Sequence, residues 1–226
     1  MYDRIRANIN RRITLTDAEF DHFTTFLQPK AYKKKTFLLQ AGEVARYLAF
    51  INEGCVRTYS IDKTGEEHVL QFSLEDWWVG DSYSSLTQKP SSLFIEALEN
   101  TDTYLIDNQN IERLYVEIPK FERFFRILSQ NRFIALQDRI NYDLTASAEE
   151  RYLNLLNRYP TLPQRVPQQY IASFLGIQPP SLSRIRKQLI EKNRKKLTND
   201  ELLEEQERSV AQSQLPNKRY GRQSEV

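Results

Sequence analysis

The chain's 226 residues suffice for one large domain or two small ones. They include 40% hydrophobic and 12% aromatic side chains, enough for folded cores but with no apolar run of about 18 residues, which excludes a membrane-spanning helix. The single cysteine, Cys55, excludes an intrachain disulfide framework, a cysteine-ligated iron–sulfur cluster and a cysteine-rich zinc site. The net charge of +2 is unevenly distributed: residues 1–145 sum to −3, residues 146–196 to +7 and the last 30 residues to −2. A short basic segment of this kind is expected where phosphate backbones dock, although a plain solvated basic face would read the same.

Met1-Tyr2-Asp3-Arg4-Ile5-Arg6 lacks the apolar stretch of a signal peptide, so a cytoplasmic location is expected. Residues 14–27 predict a short amphipathic helix, with Thr16 and Glu19 spaced as a capping box and Phe20, Phe23, Phe26 and Leu27 at helical intervals. From about 30 to 107 short β-rich runs follow: Phe37–Leu39, Tyr47–Ile51, Val56–Ile61, His68–Phe72, Phe94–Leu98 and Thr103–Ile106. Gly42, Gly54, Gly65 and Gly80 punctuate them, and Asp62-Lys63-Thr64-Gly65 suits a hairpin turn. Many short strands at even spacing predict a sandwich, roll or barrel.

A brief helix over Asn110–Tyr115 stops before Pro119. Lys120 to about Leu144 then runs without Gly or Pro. Phe121, Phe125 and Leu128 fall on one stripe, and Phe133, Leu136, Ile140 and Leu144 on another. A helix with two apolar stripes needs two partners: the β-domain and the same helix of a second copy are expected, with Leu128 and Leu136 as dimerisation residues, the alternative being a helix wholly inside one domain. Thr145–Ser147 form a break, Ser147-Ala148-Glu149-Glu150 starts a new helix, and Pro160, Pro163 and Pro167 mark a connection. Residues 191–226 are polar and charged and predict a mobile tail, partly helical at best.

The segment from Gln168 to Lys187 has the spacing of a helix-turn-helix. Ala172 is small where two helices would cross, and Gly176, four residues on, suits a left-handed helix end. Ile171, Leu175, Ile177, Leu182 and Ile185 supply apolar contacts, and Pro179 or Pro180 fits the first turn of the second helix. Candidate DNA-binding residues are Gln168, Gln169, Gln178, Ser181, Ser183, Arg184 and Lys187, with Arg184 the base reader.

This order of β-roll, long helix, break and helix-turn-helix resembles the Crp/Fnr family of transcription regulators over about residues 10–190. Leu38-Leu39-Gln40-Ala41-Gly42-Glu43, Ile51-Asn52-Glu53-Gly54-Cys55-Val56-Arg57 and Trp77-Trp78-Val79-Gly80-Asp81 resemble the family's glycine turns. The implied fold is α+β: an antiparallel β-roll like a cyclic-nucleotide-binding domain over 1–119, a dimerisation helix and hinge over 120–146, an all-α helix-turn-helix domain over 147–190, and a tail. The β-hairpin wing common in the family is not expected in that tail, and trimming it after about residue 197 is expected to leave fold and DNA binding intact.

In nucleotide-binding members a phosphate cassette supplies a Glu to the ribose and an Arg to the phosphate. The corresponding effector pocket here is Gly80, Asp81, Ser82, Lys89, Ser91 and Ser92, with Asp81 in place of the Glu and Ser91 in place of the Arg. A buried phosphate without its bidentate partner is costly, so cyclic AMP is not expected to bind. His22 and His68 are too few and too isolated for a haem or metal site, so no cofactor, metal or catalytic residue is expected. Trp77 and Trp78 suit either a pocket wall or the core.

Expected partners are double-stranded DNA, a second copy of the chain, an unidentified small-molecule effector and, as an open option, RNA polymerase; no membrane is among them. A rival reading makes the chain a ligand-binding module whose C-terminal helices pair with another protein. Steep weakening by salt would distinguish DNA binding from that rival.

Overall fold

The computed structural model describes residues 1–192 and Arg194. Met1–Pro179 form one compact unit, and the described residues from Pro180 onward belong to a second. Expectations for the tail beyond 194 lie outside the described residues.

The first unit opens with α1 (Asp3–Asn10) and α2 (Asp17–Thr24). The sequence reading passes over α1, whose Ile5 and Ile9, one turn apart, are both fully buried. In α2 the expected capping box is present: the Glu19 amide donates to Thr16 Oγ1 and the Thr16 amide to the Glu19 carboxylate.

The β-domain follows as β1 (Gln28–Tyr32), β2 (Phe37–Leu39), β3 (Tyr47–Glu53), β4 (Val56–Ile61), β5 (Glu67–Ser73), β6 (Trp78–Val79), the short α3 (Ser82–Thr87), β7 (Leu93–Ala97) and β8 (Thr101–Asp107). These pair antiparallel into two four-stranded sheets, ordered β1-β8-β3-β6 and β2-β7-β4-β5. Side chains from both sheets form one core, including Tyr32, Leu39, Ala49, Ile51, Val56 and Ile95. The expected β-rich runs lie in strands, except that Phe94–Leu98 runs one residue past the end of β7. The sequence reading has no counterpart for β1, β6 or α3.

Gly54, between β3 and β4, has φ +108°, and a Cβ there would sit 2.5 Å from Thr101 Oγ1 and 2.7 Å from its Cα, so this turn admits glycine alone. Cys55 beside it is buried, and burial pushes its thiol pKa up to about 12. The β4–β5 turn is tied by Asp62, whose Oδ1 accepts from the Thr64 and Glu66 amides at 2.8 and 3.1 Å while Oδ2 meets His68 Nε2 at 2.7 Å. His68 and the amides hold the Asp62 carboxyl well below the usual range, and Asp62 raises the His68 imidazole.

The pair stabilises the hairpin while His68 is protonated, and that contribution is lost as pH rises through its raised pKa. Asp62→Asn is therefore expected to return His68 toward the ordinary imidazole range in an NMR titration. An unchanged His68 would show that the carboxylate does not hold it.

The helical half comprises α4 (Asn108–Glu117), α5 (Lys120–Thr145), α6 (Ala148–Arg158), α7 (Leu162–Arg165) and α8 (Gln168–Phe174). The start of α5 closes an aromatic cluster with α1, α2 and β6, in which Phe23 stacks on Phe121 at 4.7 Å. Trp78 belongs to this core and donates through Nε1 to Asn8 Oδ1 at 3.1 Å. Trp77 lies against Tyr159, with ring centroids 5.8 Å apart.

The two stripes of α5 separate as the spacing predicts. Phe121 and Phe125 are buried and Leu128 packs on the same cluster, whereas Phe133, Leu136, Ile140 and Leu144, joined by Ile134, are each more than half exposed. The break falls at Ala146, which is extended, and Ser147 with Glu150 caps α6 as a capping box.

In the second unit the described chain is helical, continuing a helix that spans 179–192, here α9. Residues 191 and 192, expected in the tail, extend this helix by about half a turn.

Candidate functional site

The first half of the helix-turn-helix motif is α8. Its end is a glycine stop: the Gly176 amide donates to the Ser173 carbonyl and the Ile177 amide to the Ala172 carbonyl, both at 3.0 Å, with Gly176 at φ +64°. That bonding pattern satisfies two carbonyls the helix would otherwise leave open, and its left-handed residue is cheap only for glycine. Ile171, Ala172 and Leu175 are buried, and Gln168, Gln169 and Gln178 are exposed.

Considered by itself, α9 begins at Pro179, where a missing N–H costs nothing. Leu182 is fully buried and Ile185 nearly so, while Ser183, Arg184, Lys187 and Gln188 are exposed and Ser181 is half-buried. The helix thus presents the polar face that the sequence frame assigns to it.

Several residues that sequence reasoning missed fasten α8 to the roll. Strand β5 is the edge of its sheet, and an edge strand offers unpaired backbone groups. Ser173 meets two of them, accepting from the Val69 amide at 3.0 Å and donating to the Glu67 carbonyl at 2.8 Å. Phe174 packs on Phe72, with centroids 5.3 Å apart.

Arg57 on β4 is sandwiched between the rings of Tyr59 and Tyr170, at 4.0 and 3.7 Å. Its Nε donates to Glu96 Oε2 at 2.7 Å and its Nη1 to Glu67 Oε2 at 2.5 Å. Arg165 of α7 forks onto Glu75 at 2.7 and 3.0 Å and also bonds Glu99. Arg139 of α5 donates to the carbonyls of Leu70 and Phe174 and stacks on the Phe174 ring at 4.0 Å. One signal was legible: an arginine inside the β-run Val56–Ile61 demands a buried acidic partner.

The expected effector residues lie together around α3, but two of them, Asp81 and Ser91, bond to each other. Asp81 caps the helix, accepting from the Tyr83 and Ser84 amides at 3.0 and 3.3 Å through Oδ1, and its Oδ2 accepts from Ser91 Oγ at 2.7 Å. Ser84 Oγ donates to the Lys89 carbonyl at 2.6 Å. Both Asp81 and Ser91 are buried. Arg132, unforeseen from the sequence, reaches from α5 to the Gly80 carbonyl at 3.3 Å and lies within electrostatic reach of Asp81.

Beside the cassette, a cavity of about 430 Å³ opens into the end of the roll. Gly80 lines it, but Asp81, Ser82, Lys89, Ser91 and Ser92 do not. Its walls include Tyr32, Leu39, Ala49, Ile95 and Leu105.

His22 pairs with Glu117 at 2.6 Å and His68 with Asp62, on α2 and β5. Among the described residues, the one grouping of metal-ligand types is Asp62, Glu66 and His68, and their contacts already serve the β4–β5 turn. No helix among the described residues is long and apolar enough to cross a membrane.

Comparison with known proteins agrees with this architecture. Residues 29–117 match the cyclic nucleotide-binding domain family. The chain is 30% identical over 151 residues to the anaerobic regulatory protein of Pasteurella multocida, covering 65% of this chain and 55% of that protein. It is 27% identical over 184 residues to the fumarate and nitrate reduction regulatory protein of Vibrio cholerae, covering 76% and 73%. Against three of its curated relatives the chain spans little more than half their length.

Solved structures also share the fold, two of them as follows. FixK2 from Bradyrhizobium japonicum matches with a TM-score of 0.64 at 21% identity, over 74% of this chain and 86% of that one. The c-di-GMP responsive global regulator CLP of Xanthomonas campestris matches with a TM-score of 0.65 at 14% identity, over 79% and 93%. The domain match over 29–117, these relatives and the α+β architecture all agree with the resemblance to Crp/Fnr regulators read from the sequence.

Proposed function

We propose that the protein is a homodimeric, sequence-specific DNA-binding transcription regulator of the cytoplasm, gated by a small-molecule effector in the roll. The observation that carries this reading is the polar face of α9, with Arg184 and Lys187 exposed opposite buried Leu182 and Ile185 and preceded by the glycine stop of α8. The regulatory proteins among its relatives support it. Two copies would present two such helices to successive major grooves, with half-sites about 34 Å apart. Such a regulator also meets RNA polymerase at its promoter.

In this reading Arg184 reads guanine O6 and N7, and Gln168, Gln169, Gln178, Ser181, Ser183 and Lys187 hold phosphates. Selection of bound sequences from random DNA is the direct test; recovery of no preferred sequence at any salt concentration would overturn it. Arg184→Ala is expected to weaken the preferred site by about 1–3 kcal/mol while sparing random DNA, and Lys187→Ala to weaken all sequences alike and flatten the salt slope. Equal loss on both DNAs would make Arg184 a phosphate contact.

The bonded Asp81–Ser91 pair offers no cation to a cyclic phosphate. Cyclic AMP is therefore expected to bind weakly or not at all, and calorimetry showing micromolar affinity would refute this.

A further inference from the structure

We propose that the mouth of the roll beside the β2–β3 loop binds a small amphipathic anion, its apolar body between the two sheets and its charged head against Lys30 and Arg46. The cavity's size lies in the range of small-molecule sites. Its deeper walls are core side chains drawn from both sheets: Leu39 and Ile95 from one, Ala49 and Leu105 from the other. Water held against such walls finds few hydrogen-bond partners, so an apolar ligand body displaces it favourably.

The rim decides the charge of the ligand. Lys30 and Arg46 contribute two positive charges, and neither has an ion-pair partner among the described residues. The Lys30 ammonium rests 4.8 Å from the Tyr32 ring centroid, at the edge of the opening. Glu43 is the one acid on the rim, and its carboxylate accepts from the Gln40 amide at 3.0 Å, bonded within its own loop. Two cations against one engaged acid select an anionic head.

The wall is also wired to its surroundings. The Ala45 amide donates to Ser84 Oγ on α3 at 2.9 Å, and Asn108 at the start of α4 donates to the Ala45 and Arg46 carbonyls at 3.1 Å. A ligand that reseats the loop would therefore move the cassette and α4 together. This gating role rests on the reading of the chain as an effector-controlled regulator; the binding site does not.

The test is calorimetry on the full chain with acetate, butyrate, hexanoate, octanoate, octanol and octylamine. Affinity should rise about 4-fold per buried methylene from butyrate to octanoate. Acetate, octanol and octylamine should bind at least 10-fold more weakly than octanoate. The Lys30→Glu, Arg46→Glu double variant, altered only at exposed positions, should lose at least 10-fold in octanoate affinity.

A flat chain-length series, equal binding of octylamine, or an unchanged double variant would overturn the site. DNA affinity measured with and without octanoate separates the two proposals. Binding without an effect on DNA supports the site and removes its gating role, whereas loss of DNA binding in every state refutes the regulator and leaves the site standing.

Discussion

Arg57→Ala is expected to destabilise the protein by about 3–5 kcal/mol and to release α8 from the edge of the roll. The side chain of Arg57 is 3% exposed and that of Glu96 is 10% exposed, so removing the guanidinium leaves a nearly buried carboxylate without its counter-ion. The two tyrosine rings would also lose the cation between them, and the Tyr170 contact is one of those that reach α8. Against a typical total stability of about 5–15 kcal/mol, such a loss is large.

Chemical denaturation checks the size of the effect, and hydrogen exchange at the α8 amides checks where it acts. The Arg57→Ala, Glu96→Ala double variant should be milder than the sum of the two single variants, because it leaves no orphaned charge. A loss under 1 kcal/mol for Arg57→Ala would mean that the network is ornamental to stability.

The same contacts bear on how a signal travels. A sequence reading that pictures a long helix with a break at Thr145–Ser147 makes that helix the sole lever between roll and motif. The structure adds a second, direct route: Ser173 on the β5 edge, Phe174 on Phe72, Arg165 on Glu75 and Glu99, and Arg57 against Tyr170. Tyr170, Ser173 and Phe174 all lie on α8, so a movement of that helix must break their contacts together. The β4–β5 hairpin is therefore placed to bias the motif.

Much of this was legible in the residues. Periodicity placed the strands with strong β-formers, both capping boxes and both faces of α5, because each is written in local spacing. Strand β1 was not legible: Gln28, Pro29 and Lys30 lack β propensity, and proline is tolerated there because β1 is the edge of its sheet, a fact of topology. Helix α3 was missed because Ser82-Tyr83-Ser84-Ser85 forms helices poorly, and Asp81 bonds two of its first amides. The cassette residues were found by resemblance to the family, but their mutual bonding was not. Sequence order shows that Asp81 and Ser91 replace a Glu and an Arg; only geometry shows that they close on each other. The Lys30 and Arg46 rim had no signal, since the two residues lie 16 positions apart on separate strands and loops.

Leu136→Glu combined with Ile140→Glu is expected to convert the protein from dimer to monomer and to lower its affinity for a two-half-site DNA by about 10²–10⁴-fold. Phe133, Leu136, Ile140 and Leu144 follow one another at intervals of three or four residues, so they form a single stripe along α5. Each is more than half exposed while Phe121 and Phe125 on the other stripe are buried, so the roll accounts for one face only. A contiguous apolar stripe left in water is a liability for a monomer. Its spacing matches what a copy of the same helix presents, which makes the stripe self-complementary about a two-fold axis.

Two carboxylates per chain at the seam would place four charges in a desolvated interface, and no cation in the stripe would offset them. The affinity loss follows from linkage: a dimer's second recognition helix acts at an effective concentration set by its tether, and a monomer has none. Light scattering reads the assembly and a half-site titration reads the intrinsic contact, which should be unchanged. A double variant that remains dimeric at micromolar concentration would place the dimer interface elsewhere. One that is monomeric yet keeps full affinity for the two-half-site DNA would show that dimerisation is not what drives binding.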